Sequence, residues 1–114
     1  MKNILIVDDF ELNRYLLKHF ISGDFNIFEA TNGKEALEIC IEKEIDLVFM
    51  DIMMPVMNGI DSTIKIKKIK TNLPIIAISA YLDSDLQKLD CFDAKLTKPI
   101  QIYKIDDIIE KYLV

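Results

Sequence analysis

Three short runs in this sequence are apolar at every position: Ile4-Leu5-Ile6-Val7, Leu47-Val48-Phe49-Met50 and Ile75-Ile76-Ala77-Ile78. A strand with one wet face alternates apolar and polar side chains, so an unbroken run means that both faces are covered. Parallel sheets with helices on both faces are where such strands occur. Two weaker runs, Phe25 to Ala30 and Ala94-Lys95-Leu96-Thr97, supply candidate second and fifth strands. The stretches between carry apolar residues at helical spacing. These are Leu12, Tyr15, Leu16 and Phe20; Ala36, Leu37, Cys40 and Ile41; Ile60, Ile64 and Ile69; and Ile102, Ile105, Ile108, Ile109, Tyr112 and Leu113. Leu82 to Asp90 is the poorest helix, with room for about two turns that depend on packing. Asn32-Gly33 and Asn58-Gly59 resemble hairpin turns, but each precedes a helical pattern and reads as a loop-to-helix turn. The alternation predicts one α/β domain over residues 1–114, a doubly wound (βα)5 three-layer sandwich around a parallel five-stranded sheet.

Composition narrows the function classes. Hydrophobic residues make up 51% of the 114, enough for a core and too many for a disordered chain. No apolar run approaches the ~20 residues of a membrane span. Only four apolar residues separate Asn3 from Asp8, too few for a signal-peptide core. Fourteen bases against nineteen acids leave a net charge of −5 and no basic face for nucleic acid. Cys40, Cys91 and the single His19 fit no metal-ligand spacing, and a reduced, cytoplasmic setting is expected. His19 reads as a helix-surface residue. The two cysteines, and Met50, Met53, Met54 and Met57, read as packing.

The chemistry lies where the strands end. The first run ends in Asp8-Asp9, the third strand in Asp51, the fourth in Ser79, and the fifth leads to Lys98. In an open α/β sheet the carboxyl ends of the strands form the ligand-binding rim, so these residues converge. Each close pair of carboxylates there costs roughly 4 kcal/mol at an effective dielectric of ~20. Lys98 supplies one compensating charge. A hard divalent cation such as Mg2+, which favours one or two carboxylates plus waters and phosphate oxygens, supplies two more. Acids, a hydroxyl and a lysine around one cation make a phosphoryl-transfer site, and a carboxylate can itself be the nucleophile. Asp9 sits just before a helix, as a cap or a metal ligand. Asp51 is followed by a loop and has no capping duty, which favours it as the nucleophile. Each residue alone has an ordinary reading: Asp8 and Asp9 as helix caps, Asp51 as a turn acid, Ser79 as a strand end, Lys98 as a solvated lysine. The full set argues against all four together.

The stretch Val7-Asp8-Asp9-Phe10-Glu11-Leu12-Asn13-Arg14 resembles the opening of response-regulator receiver domains, and Asp51-Ile52-Met53-Met54-Pro55-Val56-Met57-Asn58-Gly59 resembles their phosphorylation loop. Ser79-Ala80, Lys98-Pro99 and Asn32-Gly33-Lys34-Glu35-Ala36-Leu37 match further family signatures, so the resemblance covers essentially the whole chain. It implies a sheet of order 2-1-3-4-5 and a phosphoacceptor at Asp51. Asp9, Asp51 and the Met53 backbone carbonyl would ligate Mg2+, and Asp8 would hold a metal-bound water. Ser79 would hydrogen-bond the phosphoryl group, Ala80 would leave room for it, and Lys98 would pair with its oxygen, the bond to Pro99 being cis. Lys95 stands where receivers commonly carry an aromatic switch residue, and the segment from Ser79 to Lys98 is about one helical turn short. Tyr81 and Tyr103 are candidate substitutes for that switch. Met53 and Tyr81, flanking the site, offer no amide or acid to orient water, which implies slow self-dephosphorylation. The implied partners are a histidine kinase or histidine phosphotransfer protein as donor and an unidentified downstream protein, with no direct nucleic-acid or membrane partner. The expected function is a phosphorylation-controlled signalling switch that catalyses only its own phosphorylation and dephosphorylation. Its competitors are a receiver-like binding module independent of phosphorylation and a Mg2+-dependent phosphatase, for which no substrate pocket is evident.

Overall fold

The unbroken apolar runs form the centre of the sheet. In the computed structural model, which describes residues 1–80 and 90–114, β1 spans Lys2–Val7, β3 Leu47–Asp51 and β4 Ile75–Ser79. Every residue of β3 and β4 is buried. The weaker runs, β2 (Phe25–Ala30) and β5 (Ala94–Thr97), are the edges. All neighbours are parallel and the order is β2-β1-β3-β4-β5, as the resemblance implies.

Side-chain alternation splits the core into two layers. Leu5, Val7, Val48, Met50, Ile75 and Ala77 pack with Ala36 and Cys40 of α2 (Gly33–Glu42) and Ile66 of α3 (Gly59–Ile69). Ile4, Ile6, Leu47, Phe49, Ile76 and Ile78 pack with Leu17 of α1 (Glu11–Phe20) and Ile105, Ile108 and Ile109 of α4 (Ile102–Leu113). Helices therefore cover both faces. The expected helix from Leu82 to Asp90 falls, but for Asp90, outside the described residues, as does Tyr81.

Two expected helix faces match the structure only in part: Phe20 of α1 and Ile60 of α3 pack against the core, and the rest turn outward. In α1 the buried residue is Leu17, while Leu12, Tyr15 and Leu16 are 65%, 55% and 43% exposed. In α3 the buried residues are Gly59, Ser62, Thr63 and Ile66, and Ile64 and Ile69 face solvent. Both helices carry more apolar surface than the sheet covers, so apolar spacing alone did not say which half turns inward.

The Asn-Gly pairs are loop-to-helix turns. Asn32 caps α2 by accepting from the Glu35 N–H, and Asn58 caps α3 by accepting from the Asp61 N–H, each at 2.9 Å. Neither following glycine tolerates a side chain. A Cβ on Gly59 would lie 2.0 Å from the Asp51 carbonyl oxygen, and one on Gly33 would lie 2.6 Å from that of Met57. The Gly33 N–H donates to the Met57 carbonyl at 2.9 Å and Ser62 Oγ donates to the Gly33 carbonyl at 2.7 Å, so α2, α3 and the loop after β3 form one joint. Among the described residues, no helix is long and apolar enough to cross a membrane.

Candidate functional site

Asp8, Asp9, Asp51, Ser79 and Lys98 meet at the carboxyl rim of the sheet. The register places them there: Val7 pairs with Met50, Asp51 with Ile78, and Ser79 with Thr97. One carboxylate oxygen from each of Asp8, Asp9 and Asp51 lies within 4.8 Å of the others. Asp8 and Asp51 are buried, while Asp9 is the more open of the three.

Lys98 reaches across the cluster. Its Nζ lies 3.5 Å from Asp8 Oδ2 and 3.6 Å from Asp51 Oδ1. These are ion pairs too long for good hydrogen bonds, so the ammonium balances two acids without being tightly bound to either. The Lys98 N–H donates to the Ser79 carbonyl at 3.0 Å, which sets the hydroxyl-bearing residue beside the lysine. Ser79 is buried, and Ala80 after it is exposed and small. The Lys98-Pro99 bond is cis, as the resemblance implies.

The Asp51 carboxyl is displaced from its ordinary range. Burial, and then the charge of Asp8, lift its carboxyl to about 6, against the opposing pull of Lys98 and of the Ile52 N–H that Oδ1 accepts at 2.9 Å. Three acids sharing so small a space with one lysine leave net negative charge facing the rim. That donor set of hard oxygens fits a hard divalent cation.

The capping reading of Asp8 and Asp9 does not describe the structure. The residue before α1 is Phe10, whose side chain makes no capping hydrogen bond. Asp8 Oδ1 instead accepts from the Phe10 N–H at 2.9 Å, turning the chain away from the strand. The loop that follows Asp51 is shaped at Val56, whose φ is 70°. There the Met57 N–H donates to the Pro55 carbonyl at 2.8 Å, closing a γ-turn. Met53 extends outward, 72% exposed, and Met54 packs against the core. Lys95 is exposed on β5, opposite Ala77. Tyr103 is 60% exposed on α4, and Tyr81 lies outside the described residues. His19 is on the surface with its ring edge-on to Tyr15, and Cys40 and Cys91 form no disulfide.

Two charged residues near the acids escaped the sequence reading. Arg14 Nη1 donates to the Asp8 carbonyl at 2.8 Å, and its Nε donates to Glu29 Oε1 at 2.9 Å. Burial alone would raise the Glu29 carboxyl, but hydrogen bonds from Arg14 and Lys18 outweigh it and hold the group below its usual range. The available signal was Glu29 itself, the one charge in the otherwise mostly apolar second run.

Comparison with known proteins agrees with this geometry. Residues 4–110 match the family model described as response regulator receiver domain. The chemotaxis protein CheY of Halobacterium salinarum is 37% identical over 116 residues, covering 98% of this chain and 97% of that one. The autoinducer 1 sensor kinase/phosphatase LuxN of Vibrio campbellii is 34% identical over 115 residues, covering 96% of this chain. The chain spans only 13% of the length of LuxN. Among solved structures, the response regulator TrrA of Thermotoga maritima, in complex with Mg2+-BeF, superposes with a TM-score of 0.90 at 34% identity, covering 99% of this chain and all of that one.

Proposed function

The chain belongs to the response regulator receiver family, the phosphoacceptor switches of two-component signalling, and on that premise we propose that Asp51 takes the phosphoryl group. The observation that carries this reading is the gathering of Asp8, Asp9 and Asp51 oxygens within 4.8 Å, with Lys98 bridging two of them. Mg2+ is the cofactor, as the Thermotoga relative in its Mg2+-BeF complex indicates for the family. Asp9, Asp51 and the Met53 carbonyl would hold it, with Asp8 on a bound water. Bound there, the cation would neutralise the acids and the oxygens of the arriving group.

The chain's own residues then have distinct tasks. An Asp51 carboxylate oxygen attacks phosphorus, the P–N bond to the donor imidazole breaks with its electron pair going to that nitrogen, and the released ring takes up a proton from solvent water. Lys98 and the Ser79 hydroxyl bind phosphoryl oxygens, and Ala80 leaves space for them. The added charge draws Lys98 away from Asp8, and the shift at the rim alters a protein-binding surface.

The donor is a phosphohistidine of a histidine kinase or phosphotransfer protein. The exposed apolar side chains of Phe10, just before α1, and of Leu12, Tyr15 and Leu16 within it support this, because Phe10 directly follows Asp8 and Asp9. A cavity of about 430 Å3 between α1 and the β5–α4 connection opens beside Asp8 and Lys98. The receiver works on its own aspartate and not on other substrates, and its downstream partner is a protein. Two cysteines that are not joined in a disulfide suit a reducing, cytoplasmic setting.

Incubation with Mg2+ and an acyl phosphate, followed by intact mass measurement, tests the assignment. One added phosphate that disappears in Asp51→Asn and in chelator is expected. No addition, or an addition that survives in Asp51→Asn, overturns it; the former would favour a binding module independent of phosphorylation.

A further inference from the structure

The Asp8 backbone is gripped on both sides of its Cα. Its N–H donates to the Ala30 carbonyl at 3.1 Å, and its carbonyl accepts from Arg14 Nη1 at 2.8 Å. Arg14 is itself held through Nε by Glu29, the residue before Ala30, and Glu29 also accepts from Lys18 Nζ at 3.2 Å. The Arg14 side chain is only 13% exposed, so this is not a loose surface pair. Strand β2 therefore holds the peptide that enters Asp8, and helix α1 holds the one that joins Asp8 to Asp9.

We propose that Arg14, fixed by Glu29, is a positioning residue that sets the affinity of the acid cluster for Mg2+. This rests on the reading of that cluster as a Mg2+ site. The two residues divide the task. The guanidinium makes a charge-assisted bond to a neutral carbonyl and so locks the orientation of the Asp8-Asp9 peptide. An uncompensated guanidinium this close would also repel an arriving cation, and Glu29 cancels that charge. Residues that orient metal ligands without touching the metal commonly affect affinity strongly.

Calorimetric Mg2+ titration of the whole chain tests this. Arg14→Met and Glu29→Gln are each expected to weaken Mg2+ binding by roughly tenfold. The double variant should be no weaker than the worse single one, because both act on one device. Arg14→Lys keeps the charge but loses the two-pronged geometry and should behave like Arg14→Met. The control is Lys67→Met. Lys67 makes the same kind of tie at the opposite end of the sheet, to the Leu73 carbonyl and Asp93, both at 2.7 Å. It should lose thermal stability and keep its Mg2+ affinity. Unchanged affinity in Arg14→Met, or equal weakening in Lys67→Met, overturns the proposal while leaving the Mg2+ site standing. If Arg14→Met does not fold, Glu29→Gln decides in the same way. Wild-type protein that takes up no Mg2+ at millimolar concentration removes the site reading itself, and this inference with it.

Discussion

Asp51 ionises against its surroundings, and that has a consequence for stability. An acid whose carboxyl is lifted to about 6 in the folded protein, from the usual 3.8, stabilises the fold only where it is protonated. That contribution is complete below about pH 4 and is lost as pH rises through about 6. At pH 7 the buried charge therefore works against folding. Asp51→Asn, in chelator, is expected to stabilise the protein at pH 7 by roughly 2–3 kcal/mol at most, with the gain fading toward pH 4. Urea titrations at the two pH values measure it, and a gain independent of pH would contradict the assigned cause. Thr63 poses a neutral version of the same problem, since its Oγ1 is buried in α3 with no hydrogen-bond partner among the described residues. Thr63→Val keeps the shape and removes the orphan, so a stabilisation of about 1 kcal/mol is expected by chemical denaturation. The acids themselves were legible because each ends a strand. The clamp by Arg14 was not, because a basic residue inside a helix carries no mark of the carbonyl it reaches.

At the scale of elements, the strands read cleanly and the helices only partly. Runs such as Leu47–Met50 have one interpretation, since a strand apolar throughout must be covered twice. Helix α1 has an apolar arc wide enough for two faces, and choosing Leu12 and Leu16 over Leu17 was a choice of phase that needs the neighbouring strand. The connection after β3 was recognised by its residues, but its shape was hidden. Its γ-turn holds a β-branched side chain at a positive φ, a conformation that strains any residue but glycine. Val56→Gly is expected to relieve that strain, offset by the entropy of a freer unfolded chain, for a net gain of up to about 1 kcal/mol. Val56 is 79% exposed, so no packing is lost. Gly59→Ala runs the other way. Its Cβ would meet the Asp51 carbonyl, so the carboxylate must move, and both thermal stability and the phosphate added per chain should fall.

The whole molecule is a sheet that collects like charge at one rim. The doubly wound architecture followed from the alternation of runs. The strand order did not, because nothing in five apolar segments says which neighbour each takes; it came with the family resemblance, and the register then explained why residues so far apart in sequence meet. Such a rim should make stability depend on Mg2+. Binding to the folded chain alone stabilises it by mass action, about 2.7 kcal/mol at a hundred times the dissociation constant. Wild-type protein is therefore expected to melt higher as Mg2+ rises through the millimolar range. Asp9→Asn lacks one of the three charges, so in chelator it should melt above wild type, and added Mg2+ should leave it nearly unmoved. The two midpoints, plotted against Mg2+, should cross. A wild-type midpoint flat across that range would mean that the clustered acids do not share an ion. Parallel rises in both proteins would place the ion elsewhere, since only a cation that needs Asp9 can reverse the order of the two curves.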